Sequence, residues 1–140
     1  MIIGLGTDVA EVDRFNFDAD ALDRFARKVF TAEEIAHAER YRHRAERLAG
    51  AFAAKEATRK AFGHSIPWRQ VGVRHERSGR PYIEFSGAAR QLVAMRGVRR
   101  MHVSVSHSRQ SAVATVILEG DDIGDGVLAE PIGVKAEAAR

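Results

Sequence analysis

The chain has no cysteine among its 140 residues. That excludes disulfides, thiolate zinc sites and cysteine nucleophiles, and leaves nothing pointing to an oxidising compartment. No apolar run approaches the roughly 18 residues that cross a bilayer. The start, "MIIGLGTDVAEV", reaches Asp8 with no basic leader. A soluble cytoplasmic protein with no membrane partner is expected. Internal repeats and low-complexity tracts are absent. "GLGTD" lacks the spacing of GxxxxGK or GxGxxG, and no serine sits in a GxSxG elbow. Excess charge is scarce as well: 22 Lys and Arg against 19 Asp and Glu leave +3. Such a balance permits an anionic partner without requiring nucleic acid.

What the chain does have is 45% hydrophobic content in a length that suits one domain with its own core. Residues 2 to 12 alternate as a strand, with Ile3, Leu5, Thr7 and Val9 on one face and Gly4, Gly6, Asp8, Ala10 and Val12 on the other. Gly4 and Gly6 clear that second face, so another backbone or a ligand can come close beside Asp8. A helix is expected over about 18 to 28, and "TAEE", Thr31 to Glu34, reads as a capping box opening the next. From about Ala45 to Phe62 the many Ala and Gly residues predict a central helix packed on several sides, with Gly63 as its cap and Pro67 beyond. Strands follow near 69 to 75 and 81 to 85 around a Ser78-Gly79 turn, then a helix capped by Ser86. "MHVSVSH" and "AVATVILE" form a hairpin about Ser108 to Gln110. Residues 1 to 119 thus make the domain, and 120 to 140, acidic and glycine-rich, read as a mobile tail.

Two carboxylates stand in unusual settings. Asp8 lies on the glycine-cleared strand face, and Glu56 continues the helix stripe Leu48, Phe52, Glu56, Lys60. Should the central helix pack on Gly4 and Gly6, the two can meet. A carboxylate pair without Cys or His spacing suits a hard cation such as Mg²⁺, which completes its shell with water and substrate phosphate. Lys55, Arg59 and Lys60 nearby favour those phosphates. The competing reading is an ordinary Glu56–Lys60 ion pair, worth a few tenths of a kcal/mol. In "HVSVSHS", Ser104 and Ser106 share a face with His102, and His107 stands at the strand end. A Ser-His dyad finds no acid partner there, so His107 reads as a phosphate or hydroxyl contact or as a turn residue. His37, His43, His64 and His75 read as solvated or loop positions without a role, and "ERYRHRAER" as a solvated helix face.

Taken together, "GLGTDVAEVDRF", "LAGAFAAKEATRKAFG", "GRPYIEF" and "HVSVSHS" resemble the holo-acyl-carrier-protein synthases, small bacterial 4'-phosphopantetheinyl transferases, over residues 1 to 119. The resemblance implies an α+β fold, a long central helix against a small, mainly antiparallel sheet, assembled as a homotrimer with sites at the subunit interfaces. It implies transfer of phosphopantetheine from coenzyme A to a serine of an acyl carrier protein, for fatty acid or polyketide synthesis, releasing adenosine 3',5'-bisphosphate. Asp8 and Glu56 would then hold Mg²⁺ and Lys60 would face the phosphates. Glu56, acting through a metal-bound water, or Lys55 would take the serine proton. Gly63 and Ser65 would lie at the phosphate loop. Gly79, Arg80 and Pro81, with Ser106 and His107, would form the adenosine and 3'-phosphate surface from a neighbouring subunit. Arg14, Arg24 and Lys28 would form a basic first-helix face for the carrier.

The chain departs from the family pattern twice. Ala51 stands where an Arg is common, and His64-Ser65-Ile66 replaces Gly-Thr-Gly-Ile. Two other readings compete: an RNA-binding domain built on Arg40, Arg42, Arg44 and Arg47, and a non-catalytic carrier-docking module.

Overall fold

The computed structural model describes residues 1–16 and 18–121. Strands β1 (Ile2–Glu11), β4 (Val98–His107) and β5 (Ser111–Gly120) form an antiparallel sheet in the order β1-β5-β4. Strands β2 (Val71–His75) and β3 (Pro81–Phe85) make a separate two-stranded ribbon. The helices are α1 (Ala19–Val29), α2 (Ala32–Glu39), α3 (Arg44–Phe62) and α4 (Ala88–Met95). This is the expected α+β arrangement, with the sheet divided in two.

The alanines of α3 explain its position. Ala49, Ala53, Ala54, Ala57 and Ala61 are buried, and side chains this short let the helix lie close on β1 and β5. The strand contributes its glycines to the same contact. A Cβ on Gly4 would stand 2.5 Å from the Ala61 carbonyl oxygen, and one on Gly6 would stand 1.9 Å from that of Ala57. The glycine-cleared face therefore receives the backbone of α3. Phe15, Phe25, Phe30 and Phe52 cluster at the other end of the core with centroids 5.4 to 6.3 Å apart, and Trp68 stacks on Phe52.

Helix ends follow the sequence signals except one. Thr31 and Glu34 form the capping box, and Gly63 closes α3 in the left-handed conformation at φ 62°. Ser86 does not cap α4. Its cap residue is Gly87, and the Gln70 side chain accepts from the Ala89 N–H at 3.0 Å, so the cap comes from a distant loop. The first two residues of the expected 69 to 75 strand belong instead to a 3-10 turn, Trp68–Gln70. Strand β5 runs to Gly120, whose carbonyl accepts from the Met1 amino group. The expected tail lies outside the described residues from 122 onward.

Lys55 ties α3 to α2 and β2. Its ammonium lies 2.9 Å from Glu34 Oε1 and 2.6 Å from the Val71 carbonyl oxygen, and the lysine is 0% exposed. Glu34 also accepts from the backbone of Thr31 and Val73. Burial pushes the Glu34 carboxyl up and the Lys55 ammonium down, and each charge opposes the other's shift.

The sheet's outer face carries the rows Leu5–Ile117–His102, Thr7–Thr115–Ser104 and Val9–Val113–Ser106. Leu5, Val9 and Val113 are exposed on it.

Candidate active site

Gly6 packs its backbone on Ala57, the residue after Glu56, and Asp8 follows two residues on along the same strand face. Lys60, one turn beyond Glu56, closes the gap: its ammonium donates to Asp8 Oδ1 at 2.9 Å and to the Thr7 carbonyl at 3.2 Å. Glu56 and Lys60 share a helix face, so both carboxylates stand along one edge of the β1–α3 seam. The anticipated Glu56–Lys60 ion pair does not form. Glu56 instead accepts from Arg59 at 2.8 Å, because the strand offers Lys60 a closer carboxylate. The Asp8 and Glu56 side chains are half-buried, whereas that of Lys60 is 50% exposed and can swing.

Arg59 is fixed by three contacts. It lies 4.1 Å over the Trp68 ring, donates to Glu56, and donates to Ser65 Oγ at 3.1 Å. Ser65 and Gly63 thus adjoin the seam through Arg59 and the end of α3. Lys55 does not reach it. As a proton acceptor it is corrected by its burial: its ammonium is enclosed by Glu34 and Val71, with no face open to a substrate hydroxyl.

A cavity of about 200 Å³ lies elsewhere, lined by α2, α3, the β2–β3 ribbon and β4. Gly79, Pro81 and His107 reach it, as the resemblance anticipated, but Arg80 and Ser106 are exposed and do not line it. Asp8, Glu56 and Lys60 do not line it either. His107 donates through Nδ1 to Glu46 Oε1 at 3.0 Å, which fixes the ring.

Two features here escaped the sequence reading. One is Glu46, in the first turn of α3, four residues before Gly50 and so on the same helix face. The other is the pair His37 and His75, dismissed as solvated, whose rings stack at 3.8 Å and 7° across α2 and β2. Burial, with Arg47 and Arg40, holds the His37 imidazole below its ordinary range, and burial, with His37 and Arg47, lowers His75 to about 4. No sequence spacing joins residues 37 and 75; only the packing of α2 on β2 does.

Arg24 and Lys28 are exposed on α1, four residues apart. Arg14 is not on that helix. It belongs to the preceding 3-10 turn, Val12–Phe15, with its guanidinium 5.6 Å from the Phe52 ring centroid. Arg40 and Arg42 are exposed, but they lie in the turn between α2 and α3, and Glu46 beyond them is buried, so "ERYRHRAER" is not the single solvated helix face expected.

Among the described residues no three His, Cys, Asp or Glu side chains gather as a metal cage. A cation that keeps its waters and takes substrate phosphates needs only one or two protein carboxylates, and the open-edged Asp8 and Glu56 set fits that demand.

A sequence profile of the 4'-phosphopantetheinyl transferase superfamily matches residues 4–116. The chain is 38% identical over 128 residues to a holo-[acyl-carrier-protein] synthase of Clostridium novyi, covering 89% of this chain and 93% of that one. It is 42% identical over 124 residues to one from Koribacter versatilis, covering 85% and 99%. Among solved structures, the holo-[acyl-carrier-protein] synthase of Neisseria meningitidis superposes with a TM-score of 0.73 at 29% identity, covering 85% of this chain and 99% of that one. The Bacillus anthracis enzyme in complex with CoA (3',5'-ADP) superposes with a TM-score of 0.69 at 32% identity, covering 86% and 99%.

Proposed function

This chain belongs to the 4'-phosphopantetheinyl transferase superfamily, and we propose that Asp8, Glu56 and Lys60 are the phosphate-handling half of its active site. It is a holo-[acyl-carrier-protein] synthase, transferring 4'-phosphopantetheine from coenzyme A to an acyl carrier protein. The observation that carries the site assignment is the glycine-cleared seam, which seats Asp8 on Lys60 beside Glu56.

In the reaction the carrier serine Oγ attacks the pantetheine-side phosphorus of the pyrophosphate. The bridging P–O bond breaks, and adenosine 3',5'-bisphosphate leaves with its electron pair. Asp8 and Glu56 are the residues that would hold Mg²⁺, which supplies charge neutralisation at the pyrophosphate. Lys60, on a flexible and half-exposed stem, leaves Asp8 and sets its ammonium against the phosphate oxygens as charge builds there. Lys55 is enclosed, which supports assigning receipt of the serine proton to Glu56. Arg59, pinned on Trp68, orients Glu56.

The adenosine end belongs to the cavity of Gly79, Pro81 and His107. Because Asp8, Glu56 and Lys60 do not line that cavity, a complete site is best formed by the seam of one subunit facing the cavity of another. The exposed Leu5, Val9 and Val113 offer the apolar surface for such an assembly, a cytoplasmic homotrimer. Arg24 and Lys28, with Arg14 near them in sequence, suit an acidic carrier helix.

The test is transfer itself. Incubated with apo carrier protein, coenzyme A and Mg²⁺, the chain adds a phosphopantetheinyl mass to the carrier serine. Glu56→Gln removes that gain while leaving the fold intact; near-normal transfer by this variant would sink the assignment.

A further inference from the structure

The segment that follows α3 folds back on the last turn of that helix. Trp68 places its indole 4.1 Å from the Arg59 guanidinium and stacks on Phe52, with ring centroids 5.1 Å apart at 22°. Phe52 in turn packs on Phe15 and Phe25, so a run of rings leads from the core to Arg59. Ser65, earlier in the same segment, accepts from Arg59 Nη2 at 3.1 Å. The other end of the fork, Nη1, donates to Glu56 Oε1 at 2.8 Å.

Arg59 takes this geometry at a cost. Its Nε is buried and meets no acceptor among the described residues, whereas an arginine free on the surface keeps every N–H in water. An ordinary ion pair with Glu56 would not require that loss. What the geometry secures is direction. One oxygen of Glu56 is held, and among the described residues Oε2 has no hydrogen bond and stays available. The same hold decides which cation each carboxylate receives. Lys60 lies four residues after Glu56, the spacing at which the two would pair, yet Glu56 is on Arg59 and Lys60 is on Asp8.

We infer that Trp68 is a positioning residue for the transfer reaction: through Arg59 it fixes the Glu56 carboxylate and keeps it from taking Lys60. The inference rests on the assignment of Asp8, Glu56 and Lys60 to the site. When Lys60 leaves Asp8 for a phosphate oxygen, Glu56 is the carboxylate one turn back that would recapture it. Arg59, held on the indole, already occupies that carboxylate.

The experiment takes Trp68→Leu and Arg59→Ala, singly and together, with Trp68→Phe and Glu56→Gln alongside. It measures kcat and KM for coenzyme A in transfer to apo carrier protein, and urea unfolding of each variant. Trp68→Leu and Arg59→Ala should each lower kcat about tenfold and leave KM within about twofold. Combined with Arg59→Ala, Trp68→Leu should lower kcat no further, whereas any fall in urea midpoint it causes should persist in both backgrounds. That split separates positioning from packing. Trp68→Phe, which keeps a ring beside the guanidinium, should recover most of the rate. Trp68 is the one tryptophan of the chain, so its fluorescence reports the stack. Arg59→Ala should move the emission to longer wavelength as the ring loses its cover, and an unmoved emission would remove the stack from the account. Undiminished kcat in Trp68→Leu, or losses that add in full across the pair, overturn the inference alone when Glu56→Gln is inactive. Near-normal transfer by Glu56→Gln overturns it together with the reading beneath it.

Discussion

Gly6→Ala adds one methyl group at the point where the fold and the site are the same contact. The new Cβ would lie 1.9 Å from the Ala57 carbonyl oxygen and 2.7 Å from the Ala61 nitrogen. Both are main-chain atoms of α3, which cannot rotate aside as a side-chain tip can. Ordinary contact begins near 3.4 Å, so strand and helix must part by roughly 1.5 Å. Overpacking of this kind costs about 1–3 kcal/mol, and a rigid backbone neighbour places it at the upper end. A domain of this size holds about 5–15 kcal/mol, so the variant still folds, with a urea midpoint clearly lowered. Function suffers more than stability. Asp8 is two residues away and moves with the strand, which opens its 2.9 Å contact to Lys60 and shifts it relative to Glu56. A misplacement of about 1 Å at reacting groups costs on the order of 100-fold in rate. Urea unfolding and mass-spectrometric transfer to the carrier measure the two effects separately. Lowered stability with undiminished transfer would refute the view that this seam sets catalytic geometry. An unchanged urea midpoint would refute the contact itself.

Two further predictions concern buried groups. Lys55→Met leaves the Glu34 carboxylate with only the Thr31 and Val73 N–H groups and the Val71 carbonyl without its donor, and should cost about 3–5 kcal/mol in urea unfolding, because an uncompensated charge is left inside. For His75 the folded pKa is pushed down to about 4 by burial and by the charges of His37 and Arg47, below the ordinary 6.5. The unfolded chain therefore takes up a proton first as pH falls, and stability should decline between pH 6.5 and 4. His75→Phe, which keeps a ring for His37 to stack on, should flatten that decline in urea titrations; an unchanged slope would remove His75 from the account.

The features that sequence exposes are those whose cause is local. Thr31 and Glu34 cap α2 because the two residues satisfy each other's N–H groups three positions apart. Gly63 ends α3 because it alone takes the left-handed conformation without strain, and Gly4 and Gly6 announce close packing by what they omit. The partners of charged residues were not legible in the same way. Lys55 looks like one more surface lysine until α2 brings Glu34 beside it, 21 residues away in sequence. Glu46 and His107 meet across 61 residues, and the His37–His75 stack exists only because α2 lies on β2. Periodicity places such residues on a face; it does not say what covers that face.

Lys55 and Lys60 show how far that difference reaches, since they stand five residues apart on one helix and are both paired with a carboxylate at 2.9 Å. Lys55 is enclosed, so breaking its pair costs several kcal/mol and the pair behaves as a fixed part of the core. Lys60 is half exposed, and a pair of that kind is worth no more than about 1 kcal/mol. Glu56 and Arg59 form a second, half-buried pair along the same edge, held by the contacts of Arg59 to Trp68 and Ser65. The seam is thus balanced, two carboxylates against two cations, and the Lys60–Asp8 contact is the one cheap enough to exchange. On the proposed reading, a pyrophosphate arriving with its counter-cation draws Lys60 off Asp8 and frees that carboxylate, while Arg59 keeps Glu56 oriented and the buried Lys55–Glu34 pair keeps α3 from moving. An active site needs that division, because the groups that change partners must be carried by elements that do not.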